Sequence, residues 1–164
     1  MNTTLSGITF SRADQADAAA ILELQKLAYR SEAVLCNDFS IQPLVQTLEE
    51  LLLEFESKTV IKATEGNRII GSVRVCTQNG AGYVGKLIVH PDEQGKGIGS
   101  RLLKEAEVAC GRVEYWELFT GTKSERNLRL YQKHGYKEHH RQAISDSLSL
   151  VYLRKRNFRT QDSE

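Results

Sequence analysis

The stretch Leu87 to Leu103, LIVHPDEQGKGIGSRLL, carries an apolar strand through one short loop into a glycine-rich turn that opens an amphipathic helix. Gly95, Gly97 and Gly99 lack a Cβ, so the backbone there can reach positive φ and approach a ligand closely. The first N–H groups of a helix have no acceptor within it and sit at its positive dipole end, where a phosphate is stabilised. After Gly97 the apolar positions Ile98, Leu102, Ala106 and Ala109 recur at helical spacing, which commits one face of the helix to a core. The unit therefore reads as an anion cradle built on a helix that covers a sheet.

Spacing separates three phosphate-binding designs. A P-loop requires G-x-x-x-x-G-K-[ST], and no glycine here precedes Lys-Ser or Lys-Thr. A dinucleotide fingerprint requires G-x-G-x-x-G directly after a strand, whereas His90 to Gln94 intervene and the glycines run G-x-G-x-G. Gln94-x-x-Gly97-x-Gly99 after Leu87-Ile88-Val89 resembles the Q/R-x-x-G-x-G/A segment of the GNAT superfamily of acyl-CoA-dependent N-acetyltransferases. In that family the segment wraps the pyrophosphate of acetyl-CoA, which implies contacts from Gln94, Gly95, Lys96, Gly97, Ile98, Gly99 and Ser100. A second signature, Asn127-x-x-x-Tyr131-x-x-x-Gly135-Tyr136, resembles the family's N-x-x-x-Y-x-x-x-G-[FY] helix and strand start. Asn127 and Tyr131 are i and i+4, hence neighbours on one helix face. Leu128 and Leu130 supply apolar contacts, and Gly135 stands where a helix often ends in a left-handed residue.

The chain of 164 residues has the size of one domain over residues 1–164, with 157–164 read as a polar tail. Its 22 basic and 21 acidic residues leave no electrostatic footprint for nucleic acid, and Arg154-Lys155-Arg156 reads as a strand end. Cys36, Cys76 and Cys110, odd in number and far apart, read as reduced thiols. No run of about 18 apolar residues and no signal-like leader is present, so a cytoplasmic protein without membrane partners is expected.

Periodicity predicts strands over 7–11, 59–64, 68–76, 83–89, 115–119, 136–144 and 147–154. Helices are predicted over 14–29, 44–55, 98–110 and 124–134, with an irregular connection over 30–43. This is a mixed α/β (α+β) domain, and its order is that of the GNAT fold: a mostly antiparallel sheet of about seven strands flanked by about four helices. Leu148, Leu150 and Tyr152 alternate with Val151 and Leu153, so the last strand is apolar on both faces. That pattern fits either burial under helices or a monomer or homodimer contact near the C-terminal hairpin.

The chemistry implied is attack by an amine on the acetyl-CoA thioester. Holding a lysine-like amine neutral at pH 7 costs about 4 to 5 kcal/mol, yet the stretch Tyr83-Val-Gly-Lys86, where some family members carry a glutamate, has no carboxylate. The general base is therefore unassigned from sequence, and His90 reads as a structural or CoA-contacting residue rather than that base. Tyr131, as a phenol protonated at pH 7, fits the general acid that meets the departing CoA thiolate. The resemblance implies that the backbone of Leu87, Ile88 and Val89 holds the thioester oxygen and pantetheine amides, and that Asn127 braces the pantetheine arm. Adjacent His139 and His140 are expected on opposite strand faces, so no metal is assigned. Six acidic residues against one basic between Ser31 and Lys58 favour a cationic amine acceptor. Two alternatives remain open: an acyl-CoA-binding regulatory module without turnover, and a nicotinamide-dependent oxidoreductase with Glu117 as ribose ligand.

Overall fold

The structure is a computed structural model that describes residues 3–5 and 7–158. One sheet of eight strands organises it: β1 (Thr3–Leu5), β2 (Ile8–Arg12), β3 (Thr59–Glu65), β4 (Arg68–Gln78), β5 (Ala81–Val89), β6 (Tyr115–Gly121), β7 (Lys137–Ala143) and β8 (Ser149–Arg156), in the order β1-β2-β3-β4-β5-β6-β8-β7. The seven expected strands are all present, and the short β1 extends the sheet at its β2 edge. All pairings are antiparallel except that of β5 with β6.

Among the described residues six α-helices accompany the sheet: α1 (Ala18–Ala28), α2 (Arg30–Cys36), α3 (Gln42–Val45), α4 (Leu48–Ser57), α5 (Ile98–Ala109) and α6 (Glu125–Lys133). Helix α5 packs on β3, β4 and β5, while α1 packs on β4, β5 and α4. Adjacent residues of β3 belong to different clusters, Ile61 beneath α5 and Val60 with Ile21 and Leu51 of α1 and α4. The sheet is thus covered on both faces, and β4 is buried without a break from Ile70 to Val75. Val151 and Leu153 are fully buried under the α5 side, which takes up one apolar face of β8.

Four details differ from the sequence reading. The connection 30–43 contains α2 and α3. Ala33 and Cys36 bury with Ile41 against Tyr29, Leu44 and Leu148, and this tertiary contact stabilises a helix too short to persist alone. Pro43 sits in the first turn of α3, where its missing N–H costs nothing. Helix α4 begins at Leu48 rather than Leu44, because Thr47 and Glu50 form a reciprocal capping box. In α5 the buried face is Ile98, Leu102, Leu103 and Ala106, and Ala109 is exposed. The polar tail begins later than expected, since Asn157 is buried, with its N–H on the carbonyl of Glu114 and its side-chain amide on that of Val113. Residues 159–164 lie outside the described residues.

Beneath α1, α3 and α4 runs a buried polar network. Arg74 of β4 is 2 % exposed and donates to Gln25, Gln46 and Glu54, and Glu54 also accepts from Lys58. Gln25 in turn donates to the carbonyl of Pro43. A cation taken out of water must be paired, and here its partners pin the 42–47 segment to the sheet.

Candidate active site

Strands β5 and β6 run parallel only from Ala81–Tyr83 against Tyr115–Glu117. Beyond Tyr83 they part, because β5 is drawn toward β4 while β6 continues with β8. Lys86 adopts φ 48°, and the β4–β5 register shifts there, with Ser72 opposite Ile88 and Arg74 opposite Gly85. Such a bulge bends its strand, and alternate backbone groups of β5 past the split face the gap instead of a ladder partner.

The gap opens into a cavity of about 600 Å³ whose wall includes Tyr29, Glu32, Leu87, Thr120, Asn127 and Tyr131. Tyr131 of α6 is 5 % exposed, and its ring lies 6.2 Å from that of Tyr136. Its hydroxyl bonds to no group among the described residues. Burial pushes the phenol far above its usual range, with Tyr29 and the Glu32 carboxylate adding to the shift, so it stays protonated. Asn127 donates to Thr120 Oγ1 at 3.1 Å and to Glu32 Oε1 at 3.5 Å, which fixes its amide against β6 and leaves its carbonyl oxygen open. Ser124 donates to the same Glu32 oxygen at 2.6 Å, and Oε2 accepts no hydrogen bond among the described residues.

Glu32 is the site residue that sequence reasoning did not single out. It entered only as one of six acidic residues, and no local motif marks it. Of the other five, Asp38 lines the cavity, bonded to Ser40 and Ser147, whereas Glu54 sits in the Arg74 network and Glu49, Glu50 and Glu56 are exposed. The acidic count was largely a solvated helix face.

The glycine turn stands at the far end of β5. Gly95 and Gly97 have φ 81° and 86°, and Gly97 is the N-cap residue of α5. The first intrahelical bond runs from Arg101 N–H to the Gly97 carbonyl, so the N–H groups of Ile98, Gly99 and Ser100 precede any helical acceptor. Gly99 differs from expectation: its φ is not positive, and a Cβ there would lie 3.4 Å from Leu130 and 3.7 Å from Val89, so its smallness lets α5 approach α6 and β5. Gln94 donates to the Val89 carbonyl at 3.5 Å, Lys96 is bonded to Glu93 at 2.6 Å, and Ser100 Oγ meets His134 Nε2 at 2.9 Å. Ile98 is buried in the core between α5 and the sheet, and Ile88 is buried as well. The structure therefore brings Leu87, Asn127 and Tyr131 to one cavity, while Ile88, Val89 and residues 94–100 lie along the strand and turn that lead away from it.

The remaining candidates resolve by geometry. His90 caps the turn Pro91–Glu93, its Nδ1 accepting from Asp92 N–H, and it does not line the cavity. His139 and His140 do not point apart. A register shift between Glu138 and His140 brings their Nδ1 atoms to 2.8 Å, and His140 stacks on Tyr152 at 4.3 Å. No cluster of three or more metal-ligating side chains occurs among the described residues. Glu117 is bound to Arg154 at 2.7 Å, on a strand of a mostly antiparallel sheet. A dinucleotide site needs a doubly wound sheet of several parallel strands, and here β5 with β6 is the one parallel pair among the described strands, so the oxidoreductase alternative loses its frame. No described helix is long and apolar enough to cross a membrane.

Comparison with known proteins agrees with this geometry. The PaiA N-acetyltransferase of Thermoplasma acidophilum, solved in complex with coenzyme A, superposes with a TM-score of 0.77 at 17% identity over 92% of this chain and 99% of that one. A GNAT-family acetyltransferase from Streptococcus pneumoniae and an N-acetyltransferase from Staphylococcus aureus Mu50 each give 0.71 at 19% identity, over 92% of this chain and 99% of theirs. These likenesses establish the fold. No curated protein matches by sequence. The family model described as an acetyltransferase (GNAT) domain matches residues 56–138, half of the chain and the part that holds the β5–β6 split, the glycine turn and Tyr131. The protein belongs to the GNAT acetyltransferase family.

Proposed function

We propose that this protein is an N-acetyltransferase that moves the acetyl group of acetyl-CoA to a primary amine of a small molecule or peptide, by direct attack on the thioester. The observation that carries this reading is the split of β5 from β6 beside a cavity that receives the buried, protonated Tyr131. The pyrophosphate rests on the backbone of Gln94 to Ser100, where the uncapped start of α5 offers N–H donors and the positive dipole end. The unladdered backbone of Leu87, Ile88 and Val89 holds the pantetheine amides and polarises the thioester oxygen, in the manner of an oxyanion hole. Asn127 braces the pantetheine arm through its open carbonyl.

Glu32 receives the amine. Its Oε1 is held by Ser124 and Asn127, and its free Oε2 takes the proton that the nitrogen sheds as the new C–N bond forms. When the tetrahedral intermediate collapses, Tyr131 meets the departing thiolate. Burial raises the proton affinity of thiolate and phenolate alike, so the transfer is not opposed by the apolar pocket. A carboxylate placed in the cavity removes the reason for reading the chain as a CoA-binding module without turnover.

The three unpaired cysteines fit a reducing compartment such as the cytoplasm. The protein acts as a monomer or as a homodimer through the C-terminal hairpin, where β7 forms an exposed sheet edge. The direct test is a panel of amines incubated with acetyl-CoA and read by release of free thiol. Acceptor-dependent release is expected, and its absence with every amine while acetyl-CoA binds would return the protein to a binding role.

A further inference from the structure

Lys86 is the one cavity residue with a positive φ, and it stands at the bulge that bends β5 away from β6. Left-handed backbone is strained for a residue with a side chain, so a lysine here is held by its surroundings. Its ammonium is half-buried and donates to Gln42 Oε1 at 2.7 Å, a neutral partner. Of the cations that line the cavity, Arg74 and Lys58 share Glu54, while Lys86 and the exposed Lys123 have no carboxylate partner among the described residues. Burial, with Arg74 and Lys58 repelling it, brings the Lys86 ammonium down to about 8. Nearby, the Arg74 side chain is 2 % exposed and its Nε has no hydrogen-bond partner among the described residues. Three cations against the single carboxylate of Glu54 leave this side of the cavity short of negative charge.

We infer that Lys86, with the Gln42 amide N–H₂ beside it, which bonds to no group among the described residues, forms a carboxylate-binding subsite, so that the acceptor is an amino acid or similar amine that also carries an acid group. The inference rests on the acetyltransferase reading, in which Glu32 of α2 receives the amine of the same molecule. Lys86 Nζ has two N–H donors left after Gln42, and Gln42 Nε2 supplies a third from α3. An incoming carboxylate gives the half-buried ammonium its missing counter-charge. Leu35, Phe119 and Ile144, each about half exposed at the cavity wall, present apolar surface to the acceptor's side chain.

The test uses calorimetry on the protein saturated with coenzyme A, with three probes that differ only in their charged groups: L-phenylalanine, 2-phenylethylamine and 3-phenylpropionate. L-Phenylalanine should bind about tenfold or more tightly than 2-phenylethylamine, the worth of one charge-assisted hydrogen bond. Lys86→Met should erase that ratio. Lys86→Gly, which also relieves the backbone strain and so folds at least as readily, should do the same. Failure of coenzyme A itself to bind would overturn the acetyltransferase reading. With coenzyme A bound, equal affinity for the amino acid and the amine, no binding of L-phenylalanine at millimolar concentration, or a ratio that survives both substitutions would overturn the carboxylate subsite alone.

Discussion

Ser124 donates a 2.6 Å hydrogen bond to Glu32, joining residues 92 apart in sequence and locking the start of α6 to α2 across the mouth of the β5–β6 split. One oxygen of the carboxylate is committed to this bond and to Asn127, and the other is left free in a cavity that also receives Tyr131. A side chain held this way is oriented before any substrate arrives, which is what a group that must meet a proton in the transition state requires.

Glu32→Gln should therefore lower turnover by about 10² to 10⁴, the range for a positioned base, while a glutamine oxygen keeps the bond from Ser124 and acetyl-CoA affinity stays near that of the parent. The loss should shrink for a weakly basic amine such as trifluoroethylamine, whose nitrogen is far more acidic once the C–N bond forms and so sheds its proton with less help from a base. Steady-state rates with both amines decide it: an equal loss with the two would make Glu32 a structural residue.

Gly97→Val tests the cradle. A Cβ at Gly97 meets nothing closer than Leu5 Cδ2 at 3.9 Å, so there is no clash, but φ 86° is strained for any side chain and most for a β-branched one. Relief of that strain rotates the amides at the start of α5 away from the pyrophosphate. The fold should survive with a loss of about 1–2 kcal/mol, and acetyl-CoA affinity should fall at least tenfold, with Gly97→Ala in between. Unchanged affinity in a folded Gly97→Val protein would remove the pyrophosphate from this turn.

The sheet, the four long helices, the glycine turn and the Tyr131 helix were all legible in the sequence because each rests on local chemistry: apolar period, glycine at positive φ, and i, i+4 spacing. What escaped was long-range. Helix α2 forms because Ala33 and Cys36 find a pocket made by Ile41, Leu44 and Leu148, and nothing in 30–43 alone announces that pocket. Glu32 acquires its role from Ser124 and Asn127, and Lys86 acquires its conformation from the β4 register, so both look like ordinary surface residues in the one-dimensional record. The His139–His140 pair escaped for the opposite reason: regular strand alternation would part the two rings, and the bulge at that point breaks it.

The Arg74 network gives the acid limb of stability a specific origin. Burial by itself would raise the Glu54 carboxyl, but bonds from Lys58 and Gln46 and the charge of Arg74 outweigh it and hold the group below its usual value. A carboxyl lowered in the folded state contributes stability that is complete above its unfolded pKa of about 4.3. That contribution fades as pH falls through the lower folded value. Glu54→Gln should flatten this part of the stability-against-pH curve, read by urea unfolding at pH 3 to 6. Arg74→Met should cost about 3–5 kcal/mol at neutral pH, because it leaves the buried Gln25 Oε1 without a donor and takes the guanidinium from Gln46 and Glu54, which keep only their bonds from Gln25, Gln46 and Lys58. A loss under about 1 kcal/mol would show that the network is dispensable to the fold.

Tyr131 is expected to give its proton to the departing CoA thiolate. Its hydroxyl is unbonded among the described residues, its ring is packed against Tyr136, and burial keeps it a donor across the whole working range of pH. Tyr131→Phe preserves the ring and its packing, so the folded protein and its affinity for acetyl-CoA should change little. The rate should drop by about 10² to 10⁴. A smaller drop is expected with an acyl donor whose thiol is more acidic, because a thiolate stable in its own right has less need of a proton. That dependence on the leaving group separates acid catalysis from mere positioning. If kcat holds while KM for acetyl-CoA rises, Tyr131 binds the cofactor and another group, or water, protonates the thiolate.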